Sequence, residues 1–239
     1  MTDSFSRTRL LLGTDAMARL AAARVAVFGL GGVGGYAVEA LARSGIGGLD
    51  LIDHDQISES NLNRQILATR QTIGRDKADV AKERVLAIHP GCDVTAVKTM
   101  FLPDTRDQFD FSRYDYVVDA IDTVTGKLAL IEAAQAADVP IICAMGAGNK
   151  LDPTAFEVAD VYQTTGCRLA RIIRRECRRR GIESLKVVYS RELPRRHGDE
   201  TPGEAPPEGR RDIPGSVAYV PSVMGLILAG EVIRDLTAR

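Results

Sequence analysis

An apolar run, Arg24 to Phe28, passes without interruption into Gly29-Leu30-Gly31-Gly32-Val33-Gly34. That junction constrains the chain more than any other feature. Glycines spaced in this way let a strand turn tightly into a helix, and they bring the helix N-terminus with its backbone N–H groups up to phosphate oxygens. Asp53, about 20 residues further on at the end of the next predicted strand, stands where an acid accepts hydrogen bonds from ribose hydroxyls. Gly29, Gly31, Gly32, Gly34 and Asp53 therefore predict a nucleotide site. Taken alone they suit NAD equally well, or a strand-helix junction that binds nothing.

Apolar periodicity carries the same rhythm along the chain. It predicts a first helix near Asp15 to Leu20, a helix from the glycine turn to about Gly45, and strand Leu49 to Asp53. After a polar loop through Arg70 come helix Asp76 to Ile88, strand Asp93 to Val97, strand Tyr114 to Asp119, helix Lys127 to Ala137 and strand Pro140 to Ala144. Alternation of this kind argues for a Rossmann-type, doubly wound α/β fold with a mostly parallel sheet. Beyond Gly148 the pattern changes to strand Phe156 to Ala159, arginine-rich helix Arg168 to Arg180, strand Lys186 to Ser190 and an apolar helix from Ser222 to Leu236, read as core or subunit contact. These form a C-terminal α/β extension packed on the first part. With 239 residues, 45% of them hydrophobic, the chain can bury one large core. The expected organisation is a single domain over 1–239, with a nucleotide-binding core at 1–150 and a substrate-side extension at 151–239. Between Arg191 and Asp212 the apolar side chains are only Leu193, Ala205 and the prolines, too few to offset the entropy of ordering, so a mobile loop is expected at 191–212.

Composition removes several classes. A formal charge of −1 excludes a uniformly basic protein, although arginines crowd between Arg168 and Arg211. The four cysteines form no C-x-x-C pair, which removes the common zinc spacing and fits a reduced cytoplasm. Cys143 in an apolar strand and Cys177 on the apolar side of a helix read as buried thiols, and His54 and His89 as loop or surface histidines without metal-spaced partners. The start of the chain lacks a signal-peptide pattern, and the apolar stretch from Val217 is broken by Pro221, Gly225, Gly230 and Glu231, so neither export nor membrane association is expected.

The segment Asp53-His54-Asp55, then Ser60-Asn61-Leu62-Asn63-Arg64-Gln65, then Gly74 and Lys77 resembles the ubiquitin-activating enzymes and their bacterial relatives, the adenylyltransferases of molybdopterin and thiamine biosynthesis. The likeness runs from Phe5 to about Gly148. It implies that Gly31 and Asp53 hold the nucleoside of ATP, that Asn61, Arg64, Gln65 and Lys77 surround the triphosphate, that Asp55 and Asn63 also belong to the nucleotide site, and that Asp122 helps to position Mg²⁺. It also implies that Arg7 enters the nucleotide site of a second subunit, making a homodimer the working unit. Arginine, lysine and magnesium would stabilise the charge that develops as a carboxylate attacks the α-phosphate. Singly, Arg64 and Lys77 would read as solvated surface charges, and Asp122 as a helix N-cap. Together they leave an NAD dehydrogenase without an explanation for Arg64, Lys77 and Asp122.

Phe5 to Gly13, Asp119-Ala120-Ile121-Asp122-Thr123, Met145 to Thr154 and Val187 to Ser190 are similar to the tRNA threonylcarbamoyladenosine dehydratases over nearly the whole chain. That resemblance implies ATP-dependent cyclisation of the threonylcarbamoyl group on the adenosine beside the anticodon, with tRNA as partner and a sulfur-transfer protein as a candidate second partner. Two readings stand beside it: an adenylyltransferase activating the C-terminus of a ubiquitin-like sulfur carrier, and a nucleotide-binding scaffold without catalysis. On the helix Arg168 to Arg180, Leu169, Ile172, Ile173 and Cys177 form an apolar stripe and leave Arg168, Arg171, Arg174, Arg175, Arg178 and Arg179 mostly outside. The outer face is expected to contact tRNA phosphates, against the alternative of a solvated face paired with local acids.

Overall fold

The computed structural model describes residues 4–195 and 213–238. Seven strands form one sheet in the order β3-β2-β1-β4-β5-β7-β6: β1 Arg24–Phe28, β2 Gly48–Ile52, β3 Asp93–Val97, β4 Tyr116–Asp119, β5 Ile141–Ala144, β6 Phe156–Asp160 and β7 Lys186–Ser190. All pairings are parallel except β6 with β7. The expected mostly parallel, doubly wound α/β sheet is present, and the extension joins it by adding two strands to one edge.

Strand side chains alternate between two apolar layers, as a period of two requires. Val25 and Val27 of β1 face one layer with Leu49 and Leu51, while Ala26 and Phe28 face the other. The first layer is covered by α2 (Thr14–Ala22), α3 (Gly34–Arg43), α4 (Lys77–Ile88) and α7 (Tyr219–Ala238), where α1 is Ser6–Leu12. The second is covered by α5 (Val124–Ala136) and α6 (Arg168–Arg179), with Phe28, Phe101, Phe109, Phe111 and Tyr114 packed ring against ring. The ring centroids of Phe28 and Phe101 are 5.0 Å apart, edge to face, the arrangement aromatic quadrupoles favour.

Several boundaries differ from expectation. The expected helix near Asp15 to Leu20 is α2, and an additional helix, α1, precedes it, separated because Gly13 takes φ 85° and turns the chain between them. Helix α5 begins at Val124 rather than Lys127, with Thr123 as its N-cap residue, so the simple N-cap explanation of Asp122 fails. Gly45, at φ 85°, ends α3 in the left-handed conformation its position suggested. Helix α7 starts at Tyr219, with Pro221 in its first turn, where a missing N–H costs nothing. A Cβ at Gly225 would stand 2.2 Å from the Val33 carbonyl oxygen, so this glycine sets how closely α7 lies on α3. Farther along α7, buried Glu231 receives Lys186 Nζ at 2.6 Å, which ties the helix to β7.

The first residues of the expected mobile loop are tied to the body: Arg191 N donates to Ala155 O and Arg195 N to Asn149 O. The rest of that expectation lies outside the described residues. No helix among the described residues is long and apolar enough to cross a membrane.

Candidate active site

The sheet reverses its strand order between β1 and β4, and open α/β sheets bind ligands outside the C-terminal strand ends at such a point. A cleft of about 1470 Å³ opens there. Pockets for one small ligand occupy roughly 300–1,000 Å³, so this one has room for a nucleotide and a second reactant. Gly29, Gly31, Gly32, Asp53, Asp55, Asn61, Asn63, Arg64, Gln65, Lys77 and Asp122 all line it.

Gly34 and Arg7 are not in its lining. Gly34 is the first residue of α3, and a Cβ there would lie 1.7 Å from Gly29 O. Gly29 itself sits at φ 87°, and a Cβ would come 2.6 Å from Ala120 O. These two glycines let β1, α3 and the loop after β4 approach one another, whereas Gly31 faces the opening with only Gln65 Nε2 near, at 3.9 Å. Gly34 therefore shapes the turn without facing a ligand. Arg7 is exposed on α1, outside the cleft of its own chain.

Asp53 is nearly buried, and its Oδ2 accepts Leu30 N at 2.6 Å while Oδ1 accepts Asp55 N at 2.8 Å. It thus braces the glycine turn from just after β2, and each oxygen keeps the capacity to accept a further hydrogen bond. Lys77, buried at the first position of α4, places Nζ 2.7 Å from Asp55 Oδ2. Asn61 Oδ1 accepts Ser58 N, which closes the short 3-10 turn Glu59–Asn61. From the same turn Arg64 is held by Ser60 O at 2.8 Å and Asn63 Oδ1 at 2.9 Å, and Asn63 Nδ2 donates to Ser216 O. Gln65 Oε1 and Thr123 Oγ1 are buried without a hydrogen-bond partner among the described residues, and both residues line the cleft. Buried polar atoms are normally satisfied, so two such atoms in the lining of one cleft fit a surface that meets a ligand.

Beneath the loop Ala120–Asp122, Asp119 and Lys127 form an ion pair of 2.7 Å with both side chains fully buried. The other Asp119 oxygen accepts Ile121 N at 3.0 Å. The loop carrying Asp122 is thereby fixed from below. Cys143 lies beside this pair, and burial together with the Asp119 charge pushes its thiol well above the usual range. Burial likewise raises Cys92 and Cys177 to about 11, so none of the three is poised as a thiolate. Cys167, the N-cap residue of α6, is buried and lines the cleft.

Past β5 the lining continues through Met145 to Lys150 and reaches Arg168, Leu169 and Ile172 on α6. Neither Lys150 nor Thr123 was among the candidate site residues, although both fall within motifs of the resemblance. Asn149, at φ 61°, exchanges hydrogen bonds with Gly215, N to O at 2.7 Å and Oδ1 from N at 2.6 Å. This pins Ile213 to Ser216 along the edge of the cleft. Pro221 of α7 meets Gly32 across it, since a Cβ at Gly32 would be 3.3 Å from the proline ring.

Much of the α6 face is satisfied locally. Arg174 donates to Thr164 O and Oγ1, Arg178 lies 5.3 Å over the Tyr162 ring, and buried Glu176 gathers Arg175, Arg179 and Arg180. These arginines hold Glu176 below the ordinary carboxylate range against the opposing effect of burial. Arg168 and Arg171 make no such pair among the described residues. His54 Nε2 lies 3.2 Å from Asp55 Oδ1, and ligand atoms of Asp53, His54 and Asp55 fall within 4.8 Å of one another. The expectation that His54 lacks metal-spaced neighbours is corrected, although Asp53 and Asp55 already serve Leu30, the Asp55 amide and Lys77.

The model of the ThiF family matches residues 5–239. The chain is 40% identical to the tRNA threonylcarbamoyladenosine dehydratase of Bacillus subtilis, over 99% of this chain and 95% of that protein. It is 34% identical to the protein of the same name from Escherichia coli, over 98% and 94%. The solved structure of E. coli TcdA in complex with ATP superposes with a TM-score of 0.87 at 34% identity, covering 98% of this chain and 94% of that one. A complex of the same protein with AMP gives 0.86 over the same coverage and identity.

Proposed function

The chain belongs to the ThiF family, and from that premise we propose that it is an ATP-dependent tRNA threonylcarbamoyladenosine dehydratase. It adenylates the threonyl carboxylate of the modified adenosine beside the anticodon and cyclises it. One observation carries this reading: a single cleft is lined both by the glycine turn, Asp53, Arg64, Lys77 and Asp122 and by the arginine-bearing start of α6.

In this reading Gly31, Gly32 and Asp53 seat the nucleoside and its phosphates, while Asn61, Gln65 and Lys77 flank the triphosphate. A carboxylate oxygen of the substrate attacks the α-phosphorus, the bond to the bridging oxygen breaks, and pyrophosphate leaves. Arg64, held in advance by Ser60 O and Asn63 Oδ1, meets the charge that forms without having to reorganise. The substrate's carbamoyl group then attacks the acyl carbon, loses its proton and closes a five-membered ring as AMP departs. This step is intramolecular, so the protein need only orient the chain and exclude water. Asp122 fits Mg²⁺, being a hard oxygen donor on the rim of the cleft, and one carboxylate plus substrate phosphates is how that ion is usually held. Bound there, Mg²⁺ would neutralise phosphate charge.

The experiment is to measure AMP and pyrophosphate released with tRNA carrying threonylcarbamoyladenosine and with the same tRNA lacking it. Stoichiometric AMP with the modified RNA alone is expected. ADP as product, or turnover triggered by a carrier-protein C-terminus instead, would remove the assignment.

Local pairing of Arg174, Arg175, Arg178 and Arg179 narrows the tRNA phosphate contact on α6 to Arg168 and Arg171. Exchanging both for Gln keeps a good helix former and is expected to lower tRNA affinity and flatten its salt dependence by about two counterions, while ATP binding holds. An unchanged salt slope would move the docking face elsewhere. The same reading takes the chain as cytoplasmic and as a homodimer, with Arg7 crossing to the partner's nucleotide site. Exposed Leu10 and Leu11 on α1 support an interface there, and a monomeric mass in solution would refute it. A sulfur-transfer protein remains a candidate partner, to be tested by co-purification.

A further inference from the structure

Lys150 is 4% exposed and lines the cleft beyond β5. Its ammonium group has three donors, and the one acceptor it meets among the described residues is the backbone carbonyl of Glu192. No carboxylate among the described residues pairs with it. The nearest acid, Glu192, turns its own carboxylate to Leu151 N, Asp152 N and Arg195 Nε. A buried cation is costly unless an anion answers it. Elsewhere in this molecule the rule holds, for Lys77 meets Asp55 and Lys127 meets Asp119. Met145, Leu169, Ile172 and Pro214 add apolar surface to the same cleft.

We propose that Lys150 is the seat of the substrate's carboxylate, receiving the threonyl carboxylate of the modified adenosine and orienting it toward the nucleotide end of the cleft. The inference rests on the dehydratase reading and adds the residue by which the modified nucleoside is told from the unmodified one. Lys150 lies one strand past the loop that bears Asp122. Both line the same cleft, so an anion on Lys150 and the nucleotide would share one space. Burial lowers the Lys150 pKa, opposed by Cys167 and Glu192, and a bound carboxylate would favour the charged form again.

The test compares affinity for tRNA with and without threonylcarbamoyladenosine in the parent, Lys150→Met, Lys150→Gln and Lys150→Arg, with ATP binding and thermal stability followed in each. Lys150→Met and Lys150→Gln are expected to weaken binding of the modified RNA by about tenfold or more, the size of one charge-assisted hydrogen bond. Binding of the unmodified RNA and of ATP should stay constant, and Lys150→Arg should keep most of the preference. Gln can still donate to the Glu192 carbonyl, so it answers the question if Met does not fold. Equal losses on both RNAs would place Lys150 on a backbone phosphate or in a structural role and overturn the proposal, as would a full preference retained by the neutral variants. A parent with no preference for modified RNA would instead sink the dehydratase reading itself.

Discussion

Arg64→Ala and Asp122→Ala are each expected to slow adenylation by about a hundredfold or more, the loss typical when one preorganised group that meets transition-state charge is removed. Arg64 is partly exposed and Asp122 exposed, and substitutions at such positions usually change stability by less than about 0.5 kcal/mol. The fold should therefore survive, and the rate can be read directly. Pyrophosphate exchange in the presence of modified tRNA, together with ATP affinity, separates two cases. A fall in exchange rate with ATP affinity nearly intact assigns the residue to the transition state, whereas an equal fall in both assigns it to ground-state binding. Turnover near the parent rate in a folded variant would strip that residue of its role.

The second large effect is expected on stability. Lys127→Met leaves the Asp119 carboxylate without its partner in a fully buried position, and breaking a buried pair from one side costs about 3–5 kcal/mol. For a domain of this size each kcal/mol corresponds to roughly 2–4 °C, so a fall in Tm on the order of 10 °C should be seen by thermal unfolding. Asp119→Asn combined with Lys127→Met should recover part of the loss, because no unpaired charge then remains. Activity of the double variant should still fall below the parent's, since the bond from Ile121 N that steadies the Asp122 loop is weakened. A single variant that melts within about 2 °C of the parent would mean that the Asp119 site relaxes or takes up water.

The parts of the fold legible in the sequence are those governed by local chemistry. The glycine turn, the buried and largely apolar central strands and Asp53 just after β2 follow from sterics and periodicity, and they lie as expected. The line Asn61, Arg64, Gln65, Lys77 was legible only through the resemblance to the adenylating enzymes, and all four line one cleft. What was not legible depends on contacts distant in sequence. Lys150 reads as an ordinary charged loop residue until the 192 region closes over it. The α6 arginines looked like an open basic face because Glu176 carries no sequence mark of being buried. Its i+3 and i+4 neighbours Arg179 and Arg180 are the trace it leaves. Gly34 passed for a phosphate-facing glycine because a motif does not distinguish a glycine kept for a ligand from one kept for a neighbouring backbone.

Asn149 has a consequence for how such a chain can change over evolutionary time. Arg195 N and the Gly215 backbone both fasten to this one residue, so the polypeptide departs from and rejoins the body at a common post. Closing a connection whose ends are already held together costs only slowly more as it lengthens, about 0.6 kcal/mol per doubling. The stretch between these fastenings can therefore be lengthened, shortened or rewritten with little strain reaching the sheet. Selection could then try new sequences there as interchangeable cassettes, while the nucleotide end of the cleft stays as it is.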